Sequence, residues 1–178
     1  GHFCTMRHAC AYWREKSKSH GAPVCGRIVN TTSESALLCS PGQPNYSPAK
    51  AGIIALTVST AQVMARYGVN ANAIAPRART RMTETMESFQ RAAGEFDEFA
   101  PGNVSPLVAY LASPAASDVS GQVMIVHGKH IDVLEGPGVV HSFDSATPWT
   151  PDDVAAQLSP FFRGRTMIRD GFIVRMSG

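Results

Sequence analysis

Between residues 48 and 75 the chain leaves itself almost no spare length, and a strand-like run precedes that stretch. "VCGRIVNTT" (24–32) is a short β-branched run of the kind that lies in a strand buried on both faces. "PAKAGIIALTVSTAQVMARYG" (48–68) is rich in Ala and small apolar residues, carries Pro48 in its first turn and stops at Gly68, which predicts a long helix. "VNANAIA" (69–75) follows at once and reads as a second strand. Two strands joined through a helix of more than ten residues cannot form a hairpin, so they pair in parallel through a crossover, expected to be right-handed. "QVMIVHG" (122–128) reads as a third strand. Helices are expected over 2–18 (Phe3, Met6, Cys10 and Trp13 at helical spacing), about 82–93 (Met82, Met86, Phe89) and about 104–113. The pattern is an α/β layered sheet.

Composition narrows the function classes. A chain of 178 residues with 44% apolar and 17% charged residues can bury a sizeable core. Twelve Arg and four Lys are set against 14 acids with no block of like charge, which argues against nucleic acid as a partner. No stretch approaches a membrane span, and the first residues lack the features of a signal peptide. Cys4, Cys10, Cys25 and Cys39 have no C-x-x-C spacing and read as free or buried thiols, so a cytoplasmic setting is expected. His127 and His130 flank Lys129, but no Cys or acid completes a metal site and none is expected.

The chemistry concentrates in "NYSPAK" (45–50). Positions i and i+4 share a helix face, which brings the Lys50 ammonium to the Tyr46 phenol. A phenol titrates near pH 10, and a neighbouring cation favours its ionised form, so the pair can shuttle a proton. Chance alone gives roughly 0.1 such pairs in a chain with four Tyr and four Lys, so the surroundings must decide. Ser33 lies at the end of the first predicted strand, where open α/β sheets bind ligands.

At this point the sequence resembles the short-chain dehydrogenase/reductase family: "GRIVNTTSESA", "GQPNYSPAKAG", "VNANAIAP", "TRMTE" and "VSGQVMIVHG" follow that family's order and spacing from 26 to 128. The resemblance implies a Rossmann-like doubly wound parallel sheet, NAD or NADP as cofactor, and Ser33, Tyr46 and Lys50 as catalytic residues. Tyr46 would exchange a proton with the substrate oxygen; Lys50 would lower its pKa and hold the nicotinamide ribose; Ser33 would hydrogen-bond the substrate oxygen. The loop after the second strand would approach the nicotinamide through Pro76, Ala78 and Thr80, although the family's usual Gly after that proline is Arg77 here. "NAIAPRARTRMTE" and "GNVSPLVAYLASP" look like the hydroxyacyl-CoA dehydrogenases of β-oxidation and related 3-oxoacyl reductases, which implies a 3-oxoacyl or 3-hydroxyacyl thioester substrate. Arg77, Arg79 and Arg81 are then candidates for phosphates, with plain solvent exposure as the alternative.

The family also implies a strand and glycine-rich turn ahead of all this, and a catalytic Asn that would fall upstream of Gly1. The chain therefore reads as the C-terminal half of a reductase domain (1–130) with the N-terminal half missing, followed by an extension (131–178). In that extension Thr150, Pro151, Asp152 and Asp153 open a short helix near 151–162. Gly136-Pro137-Gly138 does not join a strand to a helix and is rejected as a dinucleotide loop. Asn30 and Asn45 occupy other family positions. Cys39 is expected to pack as a small apolar residue or to touch substrate. Phe3, Met6, Cys10 and Trp13 are expected in the core or at a contact with a second copy, since family members form dimers or tetramers. The alternative to an enzyme is a non-catalytic remnant or interaction module that keeps the acid/base residues without the cofactor-capturing half.

Overall fold

The computed structural model describes residues 1–39, 42–84, 89, 94, 96–136 and 138–163. Two compact units divide it, Gly1–Glu135 and Gly136–Gly178. In the first unit α1 (His2–His20), β1 (Gly26–Thr31), α2 (Ser35–Leu38), α3 (Tyr46–Met64), β2 (Val69–Pro76), α4 (Ser105–Ala112), β3 (Val123–His127) and β4 (His130–Leu134) follow in order. The sheet runs β1-β2-β3-β4. β1 pairs in parallel with β2, in register from Gly26 opposite Val69 to Thr31 opposite Ile74, and β2 pairs in parallel with β3. The α/β reading therefore holds.

Alternation along the strands feeds two separate cores. Ile28, Val69 and Ala71 face Met6 of α1 and Ala61 and Met64 of α3, with Cys10 and Trp13 packed alongside. Val29, Ile74, Met124 and Val126 face Leu107 and Leu111 of α4 on the opposite side. Helices thus cover both faces, as in a doubly wound sheet. Both crossovers step the same way across the sheet but pass over opposite faces, so they have opposite hands and one of them departs from the usual right-handed connection. The long second connection, residues 77–122, carries enough chain to escape the constraint that acts on a short βαβ unit.

Three further expectations are corrected. Residues 130–134, where no strand is expected from the sequence, form β4, which folds back antiparallel on β3 with His127 opposite His130. Its alternation of exposed His130, Ile131 and Val133 with half-buried Asp132 and Leu134 is an edge strand's, too short and polar to announce itself. Phe3 is exposed and outside the core, which leaves contact with a second copy as its expected role. Cys39 is exposed at the C-terminal end of α2 with a left-handed φ of 48°, so it does not pack as a core residue. Met82 is 89% exposed in a turn; Met86 and most of the helix expected over 82–93 lie outside the described residues.

Polar side chains stitch the core together. Asn30, 4% exposed, donates to Thr57 Oγ1 (2.8 Å), whose hydroxyl in turn donates to the Ile53 carbonyl (2.7 Å). Asn72, 1% exposed, donates to the Val119 carbonyl (2.8 Å) and accepts from the Gln122 N–H (3.0 Å), pinning the entry to β3. Asn72→Leu keeps the branched shape but strands both backbone groups. We expect a loss of about 2 kcal/mol, read as a lowered urea midpoint with unchanged slope.

In the second unit, α5 (Pro151–Phe162) opens with a capping box. Thr150 Oγ1 accepts from the Asp153 N–H (3.2 Å), while Asp153 Oδ2 accepts from the Thr150 N–H (3.1 Å). Hydrogen bonds from Thr150 hold the Asp153 carboxyl below its ordinary value. Phe161 stacks on His141 at 4.7 Å and meets Phe143 edge-on at 5.2 Å.

Candidate functional site

The parallel strands end together, and the chemistry-bearing residues gather at those C-terminal ends. Helix α3 returns beside β1, so its first residue, Tyr46, stands near the strand's exit and Lys50 follows one turn later. Two hydrogen bonds fix that juxtaposition: Lys50 Nζ donates to the Thr31 carbonyl (3.1 Å) and Thr32 Oγ1 donates to the Lys50 carbonyl (2.8 Å). The ammonium sits 5.5 Å from the centre of the Tyr46 ring, whose side is 41% open to solvent. The Tyr46 and Lys50 pairing anticipated from i, i+4 spacing is present. His2, at the start of α1, faces the same ammonium; burial first, and the Lys50 charge second, hold its imidazole below the ordinary value.

Ser33 follows β1 by two residues. Its Oγ accepts the Ser35 N–H at 3.2 Å, which opens the single-turn helix α2. Among the described residues no hydrogen bond joins Ser33 to Tyr46 or Lys50. Pro76 ends β2 opposite Val126. Beyond it, Ala78 and Thr80 lie in a self-bonded loop: the Thr83 hydroxyl donates to the Ala78 carbonyl (3.0 Å) and accepts from the Thr80 N–H (2.8 Å).

What joins the Ser33 segment to that loop is an ion pair no spacing rule revealed. Arg77 Nε and Nη2 bind both carboxylate oxygens of Glu34, at 2.6 and 2.5 Å, and Arg77 Nη1 lies 3.2 Å from His127 Nε2. The Glu34 hydrogen bonds raise the pKa of the Arg77 guanidinium above its ordinary value, against a smaller opposing effect of burial. Arg79 pairs with Asp97 and donates to the Phe89 carbonyl (3.0 Å). Two of the three arginines considered for phosphates are therefore already held by carboxylates, which is a correction; Arg81 is exposed. His127 is 8% exposed, buried against Phe99 and Arg77, and no group of three metal-binding side chains exists among the described residues. No described helix is long and apolar enough to cross a membrane.

A hollow of about 520 Å³ opens between α2 and the start of α3, lined by Ala36, Cys39, Gln43, Pro44, Ser47 and Pro48. The three catalytic candidates do not line it. The donor set around Tyr46 fits the nicotinamide end of a dinucleotide: an ammonium carries three protons, one of which is taken by Thr31 among the described residues, and the phenol beside it is accessible. The contacts of Glu34, His2 and His127 escaped the sequence reading because they are made across the fold. The one available signal was Arg77 in place of the family's glycine.

A family model described as enoyl-(acyl carrier protein) reductase matches residues 2–128. The hydroxyacyl-CoA dehydrogenase ChsB1 of Mycobacterium tuberculosis is 47% identical over 171 residues, 93% of this chain and 53% of that protein. A short-chain dehydrogenase from Mycobacterium avium has a crystal structure that superimposes with a TM-score of 0.79 at 49% identity, covering 92% of this chain and 53% of the other. A 4-hydroxyisoleucine dehydrogenase complexed with NADH matches at 26% identity and a TM-score of 0.57, over 71% of this chain and 52% of its own. The chain spans about half the length of the curated relatives it matches. With five motif blocks in register, a sheet of the same topology and a family model that matches most of its length, the chain belongs to the short-chain dehydrogenase/reductase family.

Proposed function

We propose that the protein is an oxidoreductase that interconverts a carbonyl and a hydroxyl on a 3-oxoacyl or 3-hydroxyacyl thioester, with NAD or NADP as cofactor. The observation that carries this is the Lys50 ammonium anchored on the Thr31 carbonyl and lying 5.5 Å from the Tyr46 ring, at the mouth of a parallel sheet. Tyr46 gives its hydroxyl proton to the substrate oxygen in reduction and takes it back in oxidation. Lys50 places positive charge beside the phenol while that proton is exchanged, and its remaining protons would hold the ribose hydroxyls of the cofactor. Ser33 Oγ already accepts the Ser35 N–H, so its own hydroxyl proton is left to donate to the substrate oxygen. Pro76, Ala78 and Thr80 would line the cofactor side of the site. When bound, the nicotinamide ring supplies or accepts the hydride.

The thioester rests on the name of the Mycobacterium tuberculosis relative and on the likeness of residues 72–84 and 102–114 to that group. The apolar groove between α1 and α3, lined by Phe3, Met6, Cys10, Leu56 and Val63, is the surface we assign to a second copy of the chain. Four free cysteines accord with a cytoplasmic setting. The reading is tested by adding NADH or NADPH and acetoacetyl-CoA. Saturable quenching of tryptophan fluorescence and thioester-dependent oxidation of the cofactor are expected. No binding at millimolar cofactor would instead mark a non-catalytic remnant.

A further inference from the structure

The first site residue on the chain, Ser33, borders the shortest α-helix among the described residues. Helix α2 is a single turn of four residues, held by the Ala36 N–H on the Ser33 carbonyl (3.0 Å), the Leu37 N–H on the Glu34 carbonyl (2.8 Å) and the Cys39 N–H on the Ser35 carbonyl (3.1 Å). A turn that short does not hold its own geometry in water. Ser33 nonetheless has to present one hydroxyl proton in one direction.

Arg77 stands on rigid ground. Its N–H donates to the Val126 carbonyl at 3.0 Å, extending the ladder between β2 and β3. Its guanidinium is braced by His127, a buried side chain at the end of β3 that stacks on Phe99 at 5.9 Å. Arginine has donors only, so His127 Nε2 must accept and the imidazole proton sits on Nδ1. That nitrogen lies 3.1 Å from Glu98 Oε1 but off the line of a hydrogen bond, an electrostatic contact that favours this tautomer. From this base the guanidinium fork grips both oxygens of Glu34, with the two side chains only 30% and 19% exposed. A bidentate, largely shielded pair is the kind of ion pair that fixes geometry, unlike a solvated one.

We infer that Arg77 and Glu34 are positioning residues that lock the Ser33 turn to the loop carrying Pro76, Ala78 and Thr80, so that the substrate-side hydroxyl and the cofactor side of the cleft are set by one ion pair. The inference rests on the proposed reaction only for its catalytic consequence; the mechanical clamp stands apart from it. Lysine at 77 would keep the charge but lose the fork.

The test compares wild type with Arg77→Met, Arg77→Lys and Glu34→Gln. Hydrogen–deuterium exchange is followed over residues 32–39, with the strand amides of β2 as the internal folding control. Exchange over 32–39 is expected to quicken about tenfold in Arg77→Met and Glu34→Gln, with Arg77→Lys between them and wild type, while β2 stays protected. Turnover should fall about 10- to 100-fold in Arg77→Met with the KM for reduced cofactor changed less than about threefold, as misplacement of a catalytic group by an ångström would cause. Unchanged exchange over 32–39 in both Arg77→Met and Glu34→Gln overturns the clamp. Quickened exchange with full turnover overturns the positioning role. Quickened exchange in a protein whose wild type turns over no thioester upholds the clamp and sinks the proposed reaction instead.

Discussion

Tyr46→Phe is expected to lower turnover of a 3-oxoacyl thioester by about 10²- to 10⁴-fold, the range that a positioned proton donor contributes. The substitution removes one oxygen and leaves the ring in place. Lys50 keeps its hydrogen bond to the Thr31 carbonyl, because that bond is made by α3 and β1 and not by the phenol. Affinity for reduced cofactor should accordingly stay within about threefold of wild type, since the ring and the ammonium still present the same surface. The split between a large change in turnover and a small change in binding is what separates a proton donor from a residue that merely packs. It is measured by steady-state kinetics alongside fluorescence titration.

The second large effect is on the scaffold. Gly68, at a φ of 77°, turns the chain from the end of α3 into β2, and the segment leading to β1 passes directly over it. There Val24 donates its N–H to the Tyr67 carbonyl (2.8 Å) and Gly26 donates to the Gly68 carbonyl (3.1 Å). A Cβ on residue 68 would stand 2.1 Å from the Val24 carbonyl oxygen and 2.9 Å from the Val24 nitrogen, both backbone atoms that cannot swing aside. Gly68→Ala therefore combines the left-handed penalty with a clash and should cost about 3 kcal/mol or more, lowering Tm by roughly 10 °C. Gly52→Ala is the control: residue 52 lies mid-helix in α3 with open space at its Cβ position, and alanine there should stabilise by about 0.5–1 kcal/mol. A thermal melt of the two variants beside wild type decides it.

These two predictions also show how much the residues announce. The order of strands and helices was legible because each run is long and its period clean: Gly68 closes the turn that follows α3, and the next strand starts at once. The Tyr46 and Lys50 pair was legible because its geometry is local, fixed by helical rise alone. β4 was not, since a five-residue edge strand with polar and apolar residues mixed looks the same as loop. The opposite hands of the two crossovers were not, because handedness is settled by which face the intervening helix covers. The Glu34, Arg77 and His127 chain was illegible for a related reason. Its members lie 43 and 50 residues apart and meet only because three parallel strands end in one place. The glycine-to-arginine departure after Pro76 marked where to look, but not what the arginine would hold.

The central claim is that Tyr46 and Ser33 address one oxygen. An experimental structure of the protein with cofactor and a 3-oxoacyl thioester measures this directly. The account predicts Tyr46 Oη and Ser33 Oγ each about 2.6–3.2 Å from the 3-oxo oxygen, with Lys50 still on the Thr31 carbonyl. A bound thioester whose oxygen lies beyond the reach of either hydroxyl would contradict it.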